Sequence, residues 1–298
     1  MSGTRPTFVD PPLDRALVKG FVDLHVHTAP DVFGRALDDD EAAAGARRAN
    51  VALVFKNHVS ETASRAELAA RRHGVEAWGG IVLNRSVGGL NPHAVDALAR
   101  IEGGRGRIVW LPTIDAGNHR RTLDGVDEGI DAIVAGRPTR EFEEVVRACA
   151  ARGLALATGH TSADDAVVVA ELCRDAGVRC CVTHGLFPIV GCTEAHLESL
   201  VKLGALVELC AVGALMGDHA HLPWMRAWGN VDAAACARIV SRFGPEHFIV
   251  STDLGQSGNP TPADGLLRFV AALRAEGLDE SALRTLGADN PRRLLGLE

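Results

Sequence analysis

Phe21-Val22-Asp23-Leu24-His25-Val26-His27 is an apolar, strand-like run with two histidines at its end. Successive residues of a strand point to opposite faces, so His25 and His27 share one face. Two neutral imidazoles aimed at a single point make half of a metal site. A His-x-His fragment alone arises by chance, and its meaning depends on what stands at the ends of the other strand-like runs.

Seven more such runs follow, at Val51–Phe55, Ala77–Leu83, Arg107–Ile114, Leu154–Thr158, Arg179–Thr183, Ala205–Cys210 and His247–Thr252. Helical stretches separate them, each with its own punctuation. Asp38 and Glu41 have the spacing of a capping box ahead of a helix reaching Ala49. Ser60 or Thr62 caps a helix that ends at Gly74. Asn91-Pro92 is an N-cap with proline at the first helical position, and Gly103 closes that helix. Helices also start at Thr139, Ser162 and Thr193, closing near Gly153, Gly177 and Gly204, and another runs from about Asp232 to Phe243. Eight nearly uniform apolar strands alternating with helices predict a (β/α)8 TIM barrel. An open doubly wound sheet is the second choice, and no G-x-G-x-x-G or P-loop supports it.

The length of 298 residues and the 47% hydrophobic content suit one barrel-sized core. We expect an N-terminal arm over residues 1–20 and the barrel over 21–298. The net charge of −7 and the scattered arginine pairs argue against a nucleic-acid partner. Seven cysteines without a C-x-x-C pair read as reduced, buried thiols, and no signal stretch or apolar run of membrane length is present. A cytoplasmic protein is expected, with no membrane and no nucleic acid as partner. The long connections, Asp115–Pro138, Val212–Val231 and Leu254–Pro262, all follow strands. In a barrel those loops build the active face.

The strand ends supply the chemistry. The first run ends with His25 and His27 and is followed by Asp31. The second ends Phe55-Lys56-Asn57-His58, the fifth Thr158-Gly159-His160, the sixth Val182-Thr183-His184 and the eighth Ser251-Thr252-Asp253. In a barrel these converge at the carboxyl mouth. Four imidazoles and a carboxylate suit Zn²⁺, with Mn²⁺ or Fe²⁺ as alternatives. Taken singly, each has a bland reading: His160 and His184 as satisfied core histidines, Asp253 as a loop cap, Lys56 as an ion-pair partner of Asp31 or Glu208. Glu208 either points into the barrel behind the ligands or faces outward. Cys210 and Cys181 read as barrel packing.

His25, His27, His160, His184 and Asp253 together resemble the amidohydrolase superfamily of metal-dependent hydrolases. The ending Asp289-Asn290-Pro291-Arg292-Arg293-Leu294-Leu295-Gly296 is similar to one common there. The resemblance covers about residues 21 to 296 and implies a compact member without the additional β-sandwich domain. It also implies a bridging residue, usually a carboxylated lysine or a glutamate from strand 4 or strand 3. Neither of those strands ends in one here. Lys56 is the only lysine at a strand end, so it either bridges two ions as a carbamate or flanks a single ion as a cation.

The resemblance implies metal-activated water with Asp253 as general base. His184 or His58 stabilises the oxyanion. Arg85 is the candidate clamp for a substrate anion, with Asn118, His119 and Arg120 as weaker substrate contacts. Trp224 and Trp228 form a wall over the pocket or a buried helix face. The expected function is hydrolysis of a C–N or C–O bond in an amide, cyclic amide or lactone of a small polar molecule. A phosphoesterase and a mononuclear decarboxylase are the alternatives, followed by a non-catalytic metal-stabilised barrel. A homo-oligomer, dimer or larger, is the family-level expectation.

Overall fold

The computed structural model describes residues 14–297. Eight parallel strands form one sheet in chain order: β1 Val22–His27, β2 Ala52–Lys56, β3 Ala77–Val82, β4 Gly106–Trp110, β5 Ala155–Ala157, β6 Cys180–Val182, β7 Leu206–Cys210 and β8 Phe248–Ser251. One long helix follows each: α1 Asp39–Ala49, α2 Ala63–His73, α3 Pro92–Arg100, α4 Arg140–Arg152, α5 Ala163–Asp175, α6 Glu194–Lys202, α7 Ala233–Phe243 and α8 Pro262–Ala275. The last strand returns to the first. Asp253 N donates to His25 O at 2.8 Å and His27 N to Leu254 O at 2.8 Å. The sheet is thus a (β/α)8 barrel, and its seam is stitched beside the histidine pair.

Strands buried on both faces explain the uninterrupted apolar runs. One face of each strand meets its neighbours inside the barrel, where Ala52, Val54, Ile108, Trp110, Ala155 and Ala157 form a cluster closed from below by Leu294 and Leu295. The other face meets helices, as where Leu53 and Phe55 pack on Ala66, Ala69 and Ala70 of α2. Asn290 explains the terminal motif structurally: its amide donates to Pro245 O at 2.9 Å and Phe248 O at 2.7 Å, tying the last turn to the start of β8.

Most expected caps are present. The Asp38–Glu41 box is complete, and Thr139, Ser162, Thr193 and Asp232 accept from the first turn of their helices. Two differ. Thr62 stands at the N-cap of α2 but makes no cap bond. Its hydroxyl donates to Phe55 O and accepts from Gly80 N, so it joins β2 to β3 instead. Helix α3 ends at Arg100, because Ile101 is already extended, and Gly103 belongs to the loop beyond.

Of the expected arm, residues 1–13 lie outside the described residues, and Arg15–Val18 is one 3-10 turn with Val18 buried. No described helix is long and apolar enough to cross a membrane. The connection after β4 carries a two-residue-per-strand hairpin, Ile133–Val134 with Arg137–Pro138. The connection after β7 carries two 3-10 segments, Ala211–Leu215 and Pro223–Trp228.

Candidate metal centre

Strand β1 delivers His25 and His27 on the same face, 1% and 3% exposed. Lys56, the last residue of β2, lies beside His27 in the parallel register. Asp253 and His184 follow β8 and β6 in the left-handed backbone region, with φ of 53° and 33°. That region is uncommon for residues with a Cβ and tends to mark functional turns. Here it turns both side chains toward the barrel axis at the moment the strand ends.

Four polar atoms meet at the centre. His25 Nε2 lies 3.2 Å from His27 Nε2 and 3.0 Å from Asp253 Oδ1. His27 Nε2 lies 3.1 Å from the same carboxylate oxygen, and Lys56 Nζ lies 3.0 Å from His25 Nε2. The other imidazoles surround this point. His58 stacks on His27 with ring centroids 4.9 Å apart, and His184 stands 6.3 Å from His25 and 5.0 Å from His160.

A second layer sets ring orientation. Glu208 on β7 accepts from His25 Nδ1 at 3.2 Å, from the backbone N–H of His184 at 3.0 Å and from Ser251 Oγ at 2.7 Å. His25 therefore carries a proton on Nδ1, which aims Nε2 at the centre. Asp23 accepts from the N–H and hydroxyl of Thr252, at 2.9 and 2.6 Å, fixing the turn that carries Asp253. Asn84 donates to His58 O and Thr113 Oγ1, each at 2.9 Å, and Thr113 Oγ1 shares a 2.9 Å hydrogen bond with His58 Nδ1. Asn118 donates to His160 O at 3.0 Å.

Burial keeps His27, His58 and His160 well below the ordinary imidazole pKa and takes His184 down to about 4. Burial opposes charge on His25 as well, but Asp253 and Glu208 outweigh it and raise this ring. Burial pushes the two carboxyls upward, and the His25 charge and hydrogen bond overcome it, leaving Glu208 at about 2 and Asp253 well below the carboxylate range. Desolvation lowers Lys56, whose Nζ sits 5.2 Å above the Trp110 ring.

The structure brings His25, His27, Lys56, His58, His160, His184 and Asp253 together. His119, expected at the substrate, turns inward: its Nδ1 is 2.8 Å from His160 Nδ1, so it braces that ring. Trp228 forms a wall, its ring centroid 5.2 Å from His160 and 5.9 Å from both His184 and His119. Trp224 stands edge-on behind it.

Arg85 stands apart. Its side chain is 59% exposed, faces Asp115 at 3.7 Å and lines a surface cavity of about 510 Å³ with Leu90, Ile130 and Glu141. The guanidinium that reaches the centre is Arg35, which sequence reasoning missed. Its NH2 group lies 2.6 Å from Asp31 Oδ2 and 3.1 Å from His27 Nδ1. The available signal was an arginine four residues after an acid in the loop behind β1. The same loop sets the partly exposed Phe33 edge-on to His58 at 5.5 Å.

The donors fit a divalent ion. Neutral, buried imidazoles and an ionised carboxylate are what such an ion binds. His184 Nδ1 is buried without a hydrogen-bond partner, an orphan that an added ligand would satisfy. Ligand atoms of His25, Cys210 and Asp253 lie within 4.8 Å of one another, as do those of His27, Asp31 and His58.

A closed parallel barrel with a His-x-His pair on β1, histidines after β5 and β6 and an aspartate after β8 shares its fold with solved amidohydrolase structures. The chain belongs to the family described as Family of unknown function (DUF6282), whose model matches residues 20–208. No curated protein matches the sequence. Among solved structures, an amidohydrolase from Pseudomonas aeruginosa is similar, with a TM-score of 0.62 at 12% identity over 95% of this chain and 98% of that one. An organophosphorus hydrolase from Deinococcus radiodurans gives 0.58 at 15% identity over 94% of each chain. A structure described as organophosphate hydrolysis activity engineered from a weak promiscuous lactonase template gives 0.59 at 15% identity, covering 94% of this chain and 97% of that one.

Proposed function

We propose that the protein is a metal-dependent hydrolase cleaving a C–N or C–O bond in an amide, cyclic amide or lactone of a small polar molecule. The observation that carries this reading is the meeting of His25 Nε2, His27 Nε2 and Asp253 Oδ1 within 3.0–3.2 Å, at a buried point ringed by neutral imidazoles. His25, His27 and Asp253 would hold an ion there, with His184 and His160 beside it. A bound divalent ion supplies Lewis acidity, polarising a carbonyl and lowering the pKa of water to about 7.

The residues divide the remaining work. Asp253, ionised throughout the neutral range, accepts the proton of the attacking water and returns it to the leaving group. His58, neutral and braced through Thr113, donates toward the developing oxyanion. Trp228 screens the imidazoles from solvent. Lys56 Nζ lies 3.0 Å from His25 Nε2, where it either flanks a single ion as a cation or, carboxylated, bridges two.

The test is metal content of the purified chain and of Lys56→Ala, followed by assay of the metal-loaded protein on lactones, cyclic amides and a phosphotriester. Metal-dependent opening of a lactone or amide is expected, with kcat lowered about 10²–10⁴-fold in Asp253→Asn. One ion per chain, unchanged in Lys56→Ala, supports the cation role. A protein that binds no divalent ion sinks the proposal, and turnover of the phosphotriester alone moves it to phosphoester chemistry.

A further inference from the structure

Strand β7 places Glu208 and Cys210 two residues apart, so both face the barrel interior. Glu208 already contacts His25. Cys210 is 1% exposed, and its sulfur stands with a His25 ring nitrogen and an Asp253 oxygen, all within 4.8 Å of one another. Its hydrogen-bond partner is Ser251 Oγ at 3.4 Å. Ser251 gives its own proton to Glu208 at 2.7 Å and so can only accept from the thiol. The S–H bond is thereby turned toward Ser251, leaving the sulfur lone pairs free for the His25 and Asp253 side. His184 Nδ1, buried and unpartnered, independently marks this mouth as short of one bonding partner.

We infer that Cys210 is a thiolate ligand to the ion held by His25 and Asp253, completing a mixed nitrogen, oxygen and sulfur set. The inference rests on the metal-dependent reading above and deepens it. On binding, the sulfur donates an electron pair to the ion and the thiol proton leaves to solvent; nothing is oxidised or reduced. Ligands on one tetrahedral zinc stand about 3.5–4 Å apart, so the observed grouping needs only a small adjustment. A sulfur ligand selects Zn²⁺, or Co²⁺ in its place, over Mg²⁺ and Mn²⁺, which prefer oxygen.

The full chain is loaded with Co²⁺ and its absorption recorded. An intense near-ultraviolet thiolate-to-cobalt band is expected beside the visible d–d bands. Cys210→Ser should lose the former and keep the latter, with ion affinity falling about 10–100-fold; Cys181→Ser should keep both. Visible bands without the near-ultraviolet band in the unsubstituted protein, or survival of that band in Cys210→Ser, overturns the inference and leaves the metal-dependent reading intact. No cobalt binding at all overturns both. Should Cys210→Ser fail to fold, X-ray absorption of the unsubstituted zinc protein decides: a sulfur shell at about 2.3 Å supports the ligand, and its absence refutes it.

Discussion

Glu208 decides which nitrogen of His25 faces the centre. Its two oxygens collect donors from His25, Ser251 and the backbone of His184. In Glu208→Gln the amide NH2 must confront at least one of these donors, which weakens the constraint on the His25 tautomer. Metal affinity by chelator competition should fall about 10–100-fold, and an unchanged affinity would deny Glu208 this role. Arg35 poses the opposite case. Its partner Asp31 has a side chain with 0% exposure, so Arg35→Met strands a buried carboxylate. Urea unfolding should show a loss of about 3–5 kcal/mol. The convergence of His25, His27, Lys56, His160, His184 and Asp253 was legible in the sequence because each stands at the end of an apolar run. Arg35 was not, because only the folded loop behind β1 returns it to His27, while Arg85, three residues past β3, is drawn outward to Asp115.

At the scale of elements, β3 shows what a pattern of apolar residues leaves unsaid. Its middle is Gly79-Gly80, where the pairing with β4 shifts register. A Cβ on Gly79 would lie 2.3 Å from the backbone of Thr62, where α2 begins, and one on Gly80 2.1 Å from Ile108 O and 2.5 Å from the Trp110 ring. The pair lets the helix approach from outside and the indole fill the inside beneath Lys56. Gly80→Ala should therefore destabilise by about 1–3 kcal/mol or more and loosen Lys56 through Trp110. Thermal unfolding checks the first effect, and metal affinity the second; full tolerance of alanine would show that β3 can yield. Strand and helix positions followed from periodicity and caps, since local chemistry sets them. The second role of Thr62 did not, because its hydroxyl is claimed by β2 and β3, two elements that meet only in the barrel.

The whole molecule carries its site as an acid-sensitive element. His27, His58, His160 and His184 are buried and held below the ordinary imidazole value near 6.5, His184 at about 4. In the unfolded chain all four take up protons as the pH falls through that value, and in the folded chain they do not. Stability contributed by a base with a depressed folded pKa is complete above its unfolded value and is lost on acidification. At pH 5 each such ring costs about 2 kcal/mol. His25 is raised, and burial raises Asp23 to about 7, so these two gain stability on acidification and offset part of the loss. Glu208, at about 2, weakens the fold only below its unfolded value of about 4.5, outside this window. The depressed rings outnumber the two raised groups, so stability, and with it Tm, falls between pH 7 and pH 5. A divalent ion binds only the neutral rings, so loading should raise Tm at pH 7 and do little at pH 5. Thermal scans at the two pH values, with and without Zn²⁺, measure both effects. A Tm that is flat across the window, or a zinc gain that survives at pH 5, would mean that the imidazoles do not stay neutral in the folded protein and that the centre is not built as a metal site.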